Sequence, residues 1–317
     1  MKLALAGDTM LGRGVAAALV EREPASLVAP EVAALAQEAD LFVLNLECCI
    51  SERGRPWPAA GKPFHFRAPP RATELLVHLG VRCVTLANNH ALDFGEQALL
   101  DTFEHLAAAG IAWVGAGPDL QRARAPIVLD AGGQRLGILA LSDHPDDFAA
   151  APGRPGIAWA DLREGVPGWA RDAVDLVDAD VVAVSPHWGP NMNERPLRYV
   201  REAAAELRRA GASLVAGHSA HVVQGIEGPV LYDLGDFLDD YRIDARLRND
   251  LGLLFLVELD QGEPRRLEAV PVKLEYCFTR LADGDDAAWM RSRFRALCAE
   301  LGTDVTESDG RLVVDWT

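Results

Sequence analysis

The sequence has no apolar stretch long enough to span a bilayer, which takes about 20 residues, so no membrane span is expected. Its opening, MKLALAGDTM, has too short an apolar run for a secretory leader and passes straight into polar residues. A cysteine framework is missing as well. Cys48, Cys49, Cys83, Cys277 and Cys298 are odd in number and irregularly spaced, which excludes a disulfide scaffold and a zinc knuckle. Adjacent Cys48 and Cys49 would point to opposite faces of an extended chain, a pattern of packing rather than of metal binding. Reduced thiols and a cytoplasmic location are the expectation. Positive charge is scarce too. The net charge of -16 repels nucleic acid and anionic membranes, so neither is an expected partner. There is no internal repeat and no low-complexity linker, and nothing encodes an oligomeric state.

What is present is an ordinary globular composition, 49% hydrophobic and 25% charged over 317 residues, enough for a sizeable core. With no composition break to mark a boundary, residues 1–317 are read as a single domain. The first two thirds alternate between strand and helix patterns. Strands are expected at 2–6, 41–46, 81–86, 111–114, 180–184 and 213–216, with a hairpin over 127–129 and 135–141 around Gly132-Gly133. Helices are expected at 30–39, 70–79, 96–109 and 197–210; Gly80, Gly110 and Gly211 end the last three. This rhythm implies parallel strands with helices packed on them. The tail reads differently. Strand-like runs at 230–233, 252–259, 266–276 and 311–316 follow one another, broken by one helix at 286–301, and suggest antiparallel hairpins. Together these patterns fit an α/β fold of two sheets packed face to face with helices outside. Gly54–Pro63 and Pro145–Pro155 read as long surface loops.

The chemistry lies at the ends of the strands. LALAG runs into Asp8, LFVLNL into Glu47, VTLA into Asn88-Asn89-His90, VVAVSP into His187, and SLVAG into His218 and His221. In open α/β sheets, ligands bind at that edge. Each residue alone has a structural explanation, whether a cap, a turn or a core histidine. A carboxylate closing a run as apolar as that before Glu47 is costly unless it is paired or bound to a cation. Five strands ending this way are hard to assign to chance. His78 and His105 fall in expected helices and His65 and His144 in loops, where structural roles are favoured. The donor set is mixed nitrogen and oxygen without thiolate, which suits Zn, Mn or Fe rather than calcium. Six donors exceed one tetrahedral ion and suit two. Two divalent ions against Asp8 and Glu47 leave a positive centre that attracts anions, lowers the pKa of bound water and supplies hydroxide.

The chain resembles the capsule-synthesis CapA family, linked to poly-γ-glutamate and related to calcineurin-like metallophosphoesterases. The landmarks are GDTMLGR (7–13), NLE (45–47), FRAPP (66–70), NNHALDFG (88–95), HWGPN (187–191), GHSAHVVQG (217–225) and YDLGDF (232–237). They span most of the chain in this order. The resemblance implies a four-layer αββα sandwich of the metallophosphoesterase kind with two divalent metal ions. It implies that Asp8 and His221 serve one ion, that Asn89, His187 and His218 serve the other, and that Glu47 bridges. It places His90 at the substrate, as general acid or transition-state stabiliser oriented by Asp93, and offers Arg13, Arg67 and Asp236 as substrate contacts. Two departures stand out. Metallophosphoesterases carry Asp-x-His first and His-x-His last, whereas this chain has Asp8-Thr9-Met10 and His218-x-x-His221. One ion is thus short of a donor. Anchored capsule proteins of the family also begin with a membrane segment that this sequence lacks.

The expected function is therefore a metal-dependent hydrolase, with hydroxide attacking a phosphate ester or other anionic small molecule. The alternatives are amide hydrolysis or transfer on poly-γ-glutamate or γ-glutamyl peptides, and a non-enzymatic accessory role in capsule biosynthesis. Specificity is expected from the loops 54–70, 142–155 and 239–249.

Overall fold

The computed structural model describes residues 1–58 and 61–316. Ala59 and Ala60, within the loop expected over 54–63, lie outside the described residues.

Among the described residues the chain forms a ten-stranded and a six-stranded sheet, with two small two-stranded pairs beside them. In the larger sheet Lys2–Thr9, Leu41–Leu46, Val81–Thr85 and Ala112–Val114 pair in parallel. The tail adds antiparallel strands to the other edge of Lys2–Thr9, first Leu251–Asp260 and then Glu263–Glu275 and Arg311–Asp315. The smaller sheet carries Gln134–Ser142, Val181–His187, Leu214–Ala216 and Val230–Leu231 in parallel, edged by the expected hairpin strand Ile127–Ala131.

Residue alternation sets the layers, because successive side chains of a strand point to opposite faces. Leu3, Leu5, Leu41 and Val43 share one core with Leu136, Ile138, Ala183, Leu214 and Ala216 of the second sheet. Their neighbours Ala4, Ala6, Phe42 and Leu44 face the other way, onto Val15, Leu19, Val32, Leu75 and Leu99 from helices Arg13–Glu21, Pro30–Ala36, Ala72–His78 and Gly95–Ala108. On the far side Leu139, Leu141, Val182 and Val184 pack against Val174, Val200 and Leu207 of helices Gly168–Leu176 and Arg198–Arg209. The result is helix, sheet, sheet, helix: the expected αββα sandwich. Each fully buried Leu, Val or Phe contributes about 1.5–3 kcal/mol, so the inter-sheet layer holds the two strand edges in register.

The structure adds three helices, Arg13–Glu21, Leu120–Arg124 and Gly168–Leu176, to those expected. Leu120–Arg124 is only five residues long, and the other two, nine residues each, do not close on a glycine as the helices before Gly80, Gly110 and Gly211 do. The first strand also runs further than expected. It continues to Thr9 with an irregularity at Asp8, so Asp8 lies within the strand rather than after it. Val230–Leu231 is shorter than its expected counterpart. The five cysteines are buried and free. Among the described residues no helix is long and apolar enough to cross a membrane.

Candidate metal centre

The parallel strands of both sheets end at one place. From the larger sheet come Asp8, Glu47 just past Leu41–Leu46, and the turn Asn88–Asn89–His90 past Val81–Thr85. From the smaller sheet come His187, the last residue of its strand, and the 218–221 loop past Leu214–Ala216. A single bridge pairs His187 with His218.

Polar side chains behind this edge fix its geometry. Asn45 donates Nδ2–H to Asp8 Oδ1 (2.7 Å), and its Oδ1 accepts from Asn88 Nδ2 (2.9 Å) and Thr85 Oγ1 (3.1 Å). Asn88 in turn accepts the backbone N–H of His90 at 3.0 Å, which shapes the turn carrying Asn89. In the 218–221 loop Ser219 (φ 121) and His221 (φ 59) hold left-handed backbone. For residues other than glycine this costs on the order of 1–3 kcal/mol and persists only where the surroundings impose it. Asp233 imposes it here by accepting N–H bonds from Ala220 (2.7 Å) and Gly235 (2.8 Å).

Two overlapping sets of donors result. Asp8, His187 and His218 can each present an atom within 4.8 Å of the others, and so can Asp8, His221 and Asp236. Asp8 belongs to both: its Oδ1 lies 3.6 Å from His218 Nδ1 and its Oδ2 3.2 Å from His221 Nδ1. His187 Nδ1 and His218 Nδ1 are 2.7 Å apart. His221 Nδ1 lies 2.8 Å from Asp236 Oδ1 and 3.9 Å from Glu47 Oε2.

The electrostatics are out of balance for protein alone. Asp8, Glu47 and Asp236 are each at most 1% exposed. Taking a carboxylate out of water costs several kcal/mol even after relaxation. Burial, followed by the Asp8 charge, raises the Glu47 pKa well above its ordinary value; burial, Asp239 and Asp8 do the same to Asp236. Burial and then His218 push His187 well below the usual imidazole range, and burial takes His218 down to about 4. His221 alone of these imidazoles moves upward, because Glu47, Asp8, Asp233 and Asp239 together outweigh its burial. Several buried atoms also lack any hydrogen-bond partner: Glu47 Oε1, Asn89 Oδ1, His187 Nε2 and Asp236 Oδ2. A divalent cation is the chemistry that would satisfy converging acceptors of this kind.

His90 and Asp93 form a pair beside this cluster, with His90 Nδ1 2.5 Å from Asp93 Oδ2. Asp93 also accepts the Phe66 backbone N–H (2.6 Å) and faces Lys62 Nζ at 2.9 Å. The His90 ring stacks on Phe66 at 4.0 Å. Burial lowers its pKa to about 4 against the opposing pull of Asp93. Arg13 pairs with Asp240 and lies 5.0 Å over both Phe64 and Phe66. Arg67 instead lies over Phe94 at 4.3 Å and donates to the Arg53 carbonyl, contacts that brace its loop.

Three residues join them: Tyr241 and Lys62, not singled out in the sequence, and His144, read there as structural. Tyr241 packs edge-on against His221 (5.2 Å), with its hydroxyl 3.4 Å from Glu47 Oε2. His144, paired with Asp143, brings its ring 5.1 Å from that of His187. Lys62 also donates to the Asn89 carbonyl at 2.6 Å. Only His144 carried a signal, as a histidine just past the strand Gln134–Ser142. Lys62 and Tyr241 sit in loops with no periodicity to mark them.

The four-layer αββα architecture recurs in solved structures of low sequence identity. Structures with this arrangement include a "novel phosphatase" from Mycoplasma pneumoniae (13% identical, 86% of this chain and 93% of that one, TM-score 0.52) and a hypothetical protein from Thermus thermophilus (18%, 86% and 99%, TM-score 0.50). Residues 2–241 match the bacterial capsule synthesis protein PGA_cap family, and the chain belongs to it. Its relatives include the "Probable polyglutamine synthesis accessory protein" of Mycobacterium tuberculosis, 34% identical over 87% of this chain and 77% of that one. The "PGA biosynthesis protein CapA" of Bacillus subtilis is 27% identical over 98% and 80%.

Proposed function

We propose that the protein is a divalent-metal-dependent hydrolase of anionic substrates, phosphate esters first. The observation that carries this reading is the pair of buried donor sets that share Asp8, Asp8–His187–His218 and Asp8–His221–Asp236, beside partnerless buried atoms on Glu47, Asn89 and His187. Asp8, Glu47, Asn89, His187, His218 and His221 would hold two ions of Zn, Mn or Fe. Asp8 is the better candidate to bridge, since its two oxygens face different imidazoles; Glu47 would serve beside it. Bound there, the ions would acidify water and offset substrate charge.

The chain's own residues supply the rest. Asp93 would accept the hydrogen bond of His90 Nδ1–H, which leaves Nε2 as the working nitrogen. Burial keeps the ring neutral down to about pH 4, so His90 needs an arriving anion to hold a proton and act as general acid. Arg13, fixed by Asp240 and flanked by aromatic rings, would contact the substrate. Arg67 would act at one remove through its loop. The buried free thiols support a reducing, cytoplasmic setting.

The decisive assay combines metal analysis with turnover. Metal-replete protein should hydrolyse an aryl phosphate mono- or diester and lose that activity with chelator. Inactivity on both esters, with metal bound, overturns the phosphoesterase reading. The names of the relatives favour a second reading, an accessory role in polyglutamate or capsule synthesis, with amide chemistry on γ-glutamyl chains as its enzymatic form. Shortening or transfer of a γ-glutamyl oligomer, abolished in His90→Ala, would support the enzymatic form. Binding of such an oligomer without turnover would support the accessory role.

A further inference from the structure

The motif Asp8-Thr9-Met10 leaves the His221 side of the centre one donor short. Met10 does not fill the gap: it is fully buried and its sulfur accepts the Gly12 N–H at 3.0 Å. We propose that Asp236 supplies the missing donor, making this an oxygen-rich position that binds a hard divalent ion such as Mn2+, beside a nitrogen-rich position suited to Zn2+. The inference rests on the metal-centre reading above and adds a ligand and a selectivity to it.

The backbone brings Asp236 there. Asp236–Leu238 runs parallel to Lys2–Thr9 with Asp236 level with Asp8. The Asp8 N–H donates to the Gly235 carbonyl (2.8 Å) and the Met10 N–H to that of Leu238 (2.9 Å). Only glycine at position 7 permits so close an approach, since a Cβ there would lie 1.9 Å from the Gly235 oxygen. The two carboxylates then converge on one ring nitrogen, with Asp236 Oδ1 at 2.8 Å and Asp8 Oδ2 at 3.2 Å from His221 Nδ1. Asp236 is 1% exposed, and its Oδ2 is buried with no protein donor, beside the equally donorless Oδ2 of Asp239; Oε1 of the neighbouring Glu47 also lacks a donor. A carboxylate whose only task was to orient His221 would have its second oxygen satisfied by another donor or by solvent.

Donor chemistry then separates the two positions. Asp8, Asp236 and Glu47 offer oxygens with a single imidazole on one side. His187 and His218 offer two imidazoles on the other, where the buried, partnerless Asn89 amide oxygen would join them. Carboxylate-rich sites favour Mn2+ or Mg2+, whereas imidazole favours Zn2+.

The test titrates metal-free full-length protein, pre-loaded with one equivalent of Zn2+, with Mn2+. The free Mn2+ signal is followed by electron paramagnetic resonance, and bound metals are counted by elemental analysis. Wild type should hold one Zn2+ and one Mn2+. Asp236→Asn, which keeps the side-chain shape, should retain the Zn2+ and bind Mn2+ more weakly by upwards of about 100-fold. Asp236→His should restore the second ion but prefer Zn2+ to Mn2+ there, a swap that an orienting residue would not produce. Unchanged Mn2+ stoichiometry, affinity and selectivity in both variants would overturn the role of Asp236 alone. A wild type that binds no divalent ion would overturn the metal-centre reading itself. Circular dichroism of the metal-free variants confirms that each is folded before it is scored.

Discussion

His187 and His218 meet from two neighbouring strands of the smaller sheet, with imidazole nitrogens 2.7 Å apart and a single carboxylate, Asp8, within reach of both. Across the centre, Asp8 and Asp236 lie level on adjacent strands of the larger sheet and crowd one imidazole, His221. Both sides are buried, yet their protonation runs in opposite directions. Burial dominates the first and drives its imidazoles toward neutrality. The second has too many carboxylates for burial to win, and His221 is pushed toward its charged form. The same desolvation thus yields neutral ligands where imidazoles cluster and a trapped proton where carboxylates cluster. Neutral imidazole and ionised carboxylate are the ligand forms of the two types, so a cation would find the first side prepared and would have to displace a proton from the second.

The largest expected difference between the two sides is in turnover. His187→Ala should take metal-dependent hydrolysis to background with loss of the tighter ion, measured by elemental analysis beside the aryl phosphate assay. Equal metal content in variant and wild type would remove His187 from the centre. His90→Ala should lower kcat by roughly 10²–10⁴ while leaving both ions bound, because His90 faces Asp93 and Phe66 rather than either donor set. Loss of metal in this variant would mean that the ring supports the centre instead of the substrate.

Asn45→Ala should weaken metal binding by roughly 10–100-fold, since Asn45 orients the one carboxylate common to both sides. Competition against a chelating dye reads that change. The smallest effect is on protonation. In the metal-free protein at pH 6, imidazole proton resonances should show His221 charged, with His187 and His218 neutral. His218 should titrate near pH 4, below its ordinary 6.5. The signs follow from linkage. For His218 the folded pKa is depressed, so its contribution to stability is present above 6.5 and is lost as pH falls from 6.5 toward about 4. For His221 the folded pKa is raised, so its contribution is present below 6.5 and is lost as pH rises through the folded value. A tenfold change in either ring's proton affinity on folding is worth about 1.4 kcal/mol. Simultaneous titration of all three rings near 6.5 would erase the distinction.

The nitrogen-rich side was the more legible in the sequence. His187 and His218 each follow a short apolar strand, and a strand's period of two is encoded by immediate neighbours. The same held for Asp8 and Glu47. Asp236 was legible only through the resemblance, as a substrate contact in the YDLGDF motif, and its pairing with Asp8 was invisible because it depends on a strand crossing made late in the chain. Lys62 and Tyr241 were equally hidden, since loops carry no repeat that says where their side chains arrive. The helices Arg13–Glu21 and Gly168–Leu176 escaped because both are short and neither closes on a glycine as the helices before Gly80, Gly110 and Gly211 do; packing of Val15, Leu19, Ala170 and Val174 onto the sheets holds them instead.

By itself the sequence determined the alternating elements, the apolar faces that make two sheets and three buried layers, and the polar residues at the strand ends. These depend on spacing along the chain, which local backbone geometry converts directly into faces. Tertiary structure decided how those ends were shared: that Asp8 stands between two imidazole sets, that Asp236 rather than a histidine completes one of them, and that His90 is held by Asp93 with Lys62 behind it. Such contacts join residues far apart in the chain. Their geometry follows from how two sheets settle against each other, a property of the whole core that no local pattern contains.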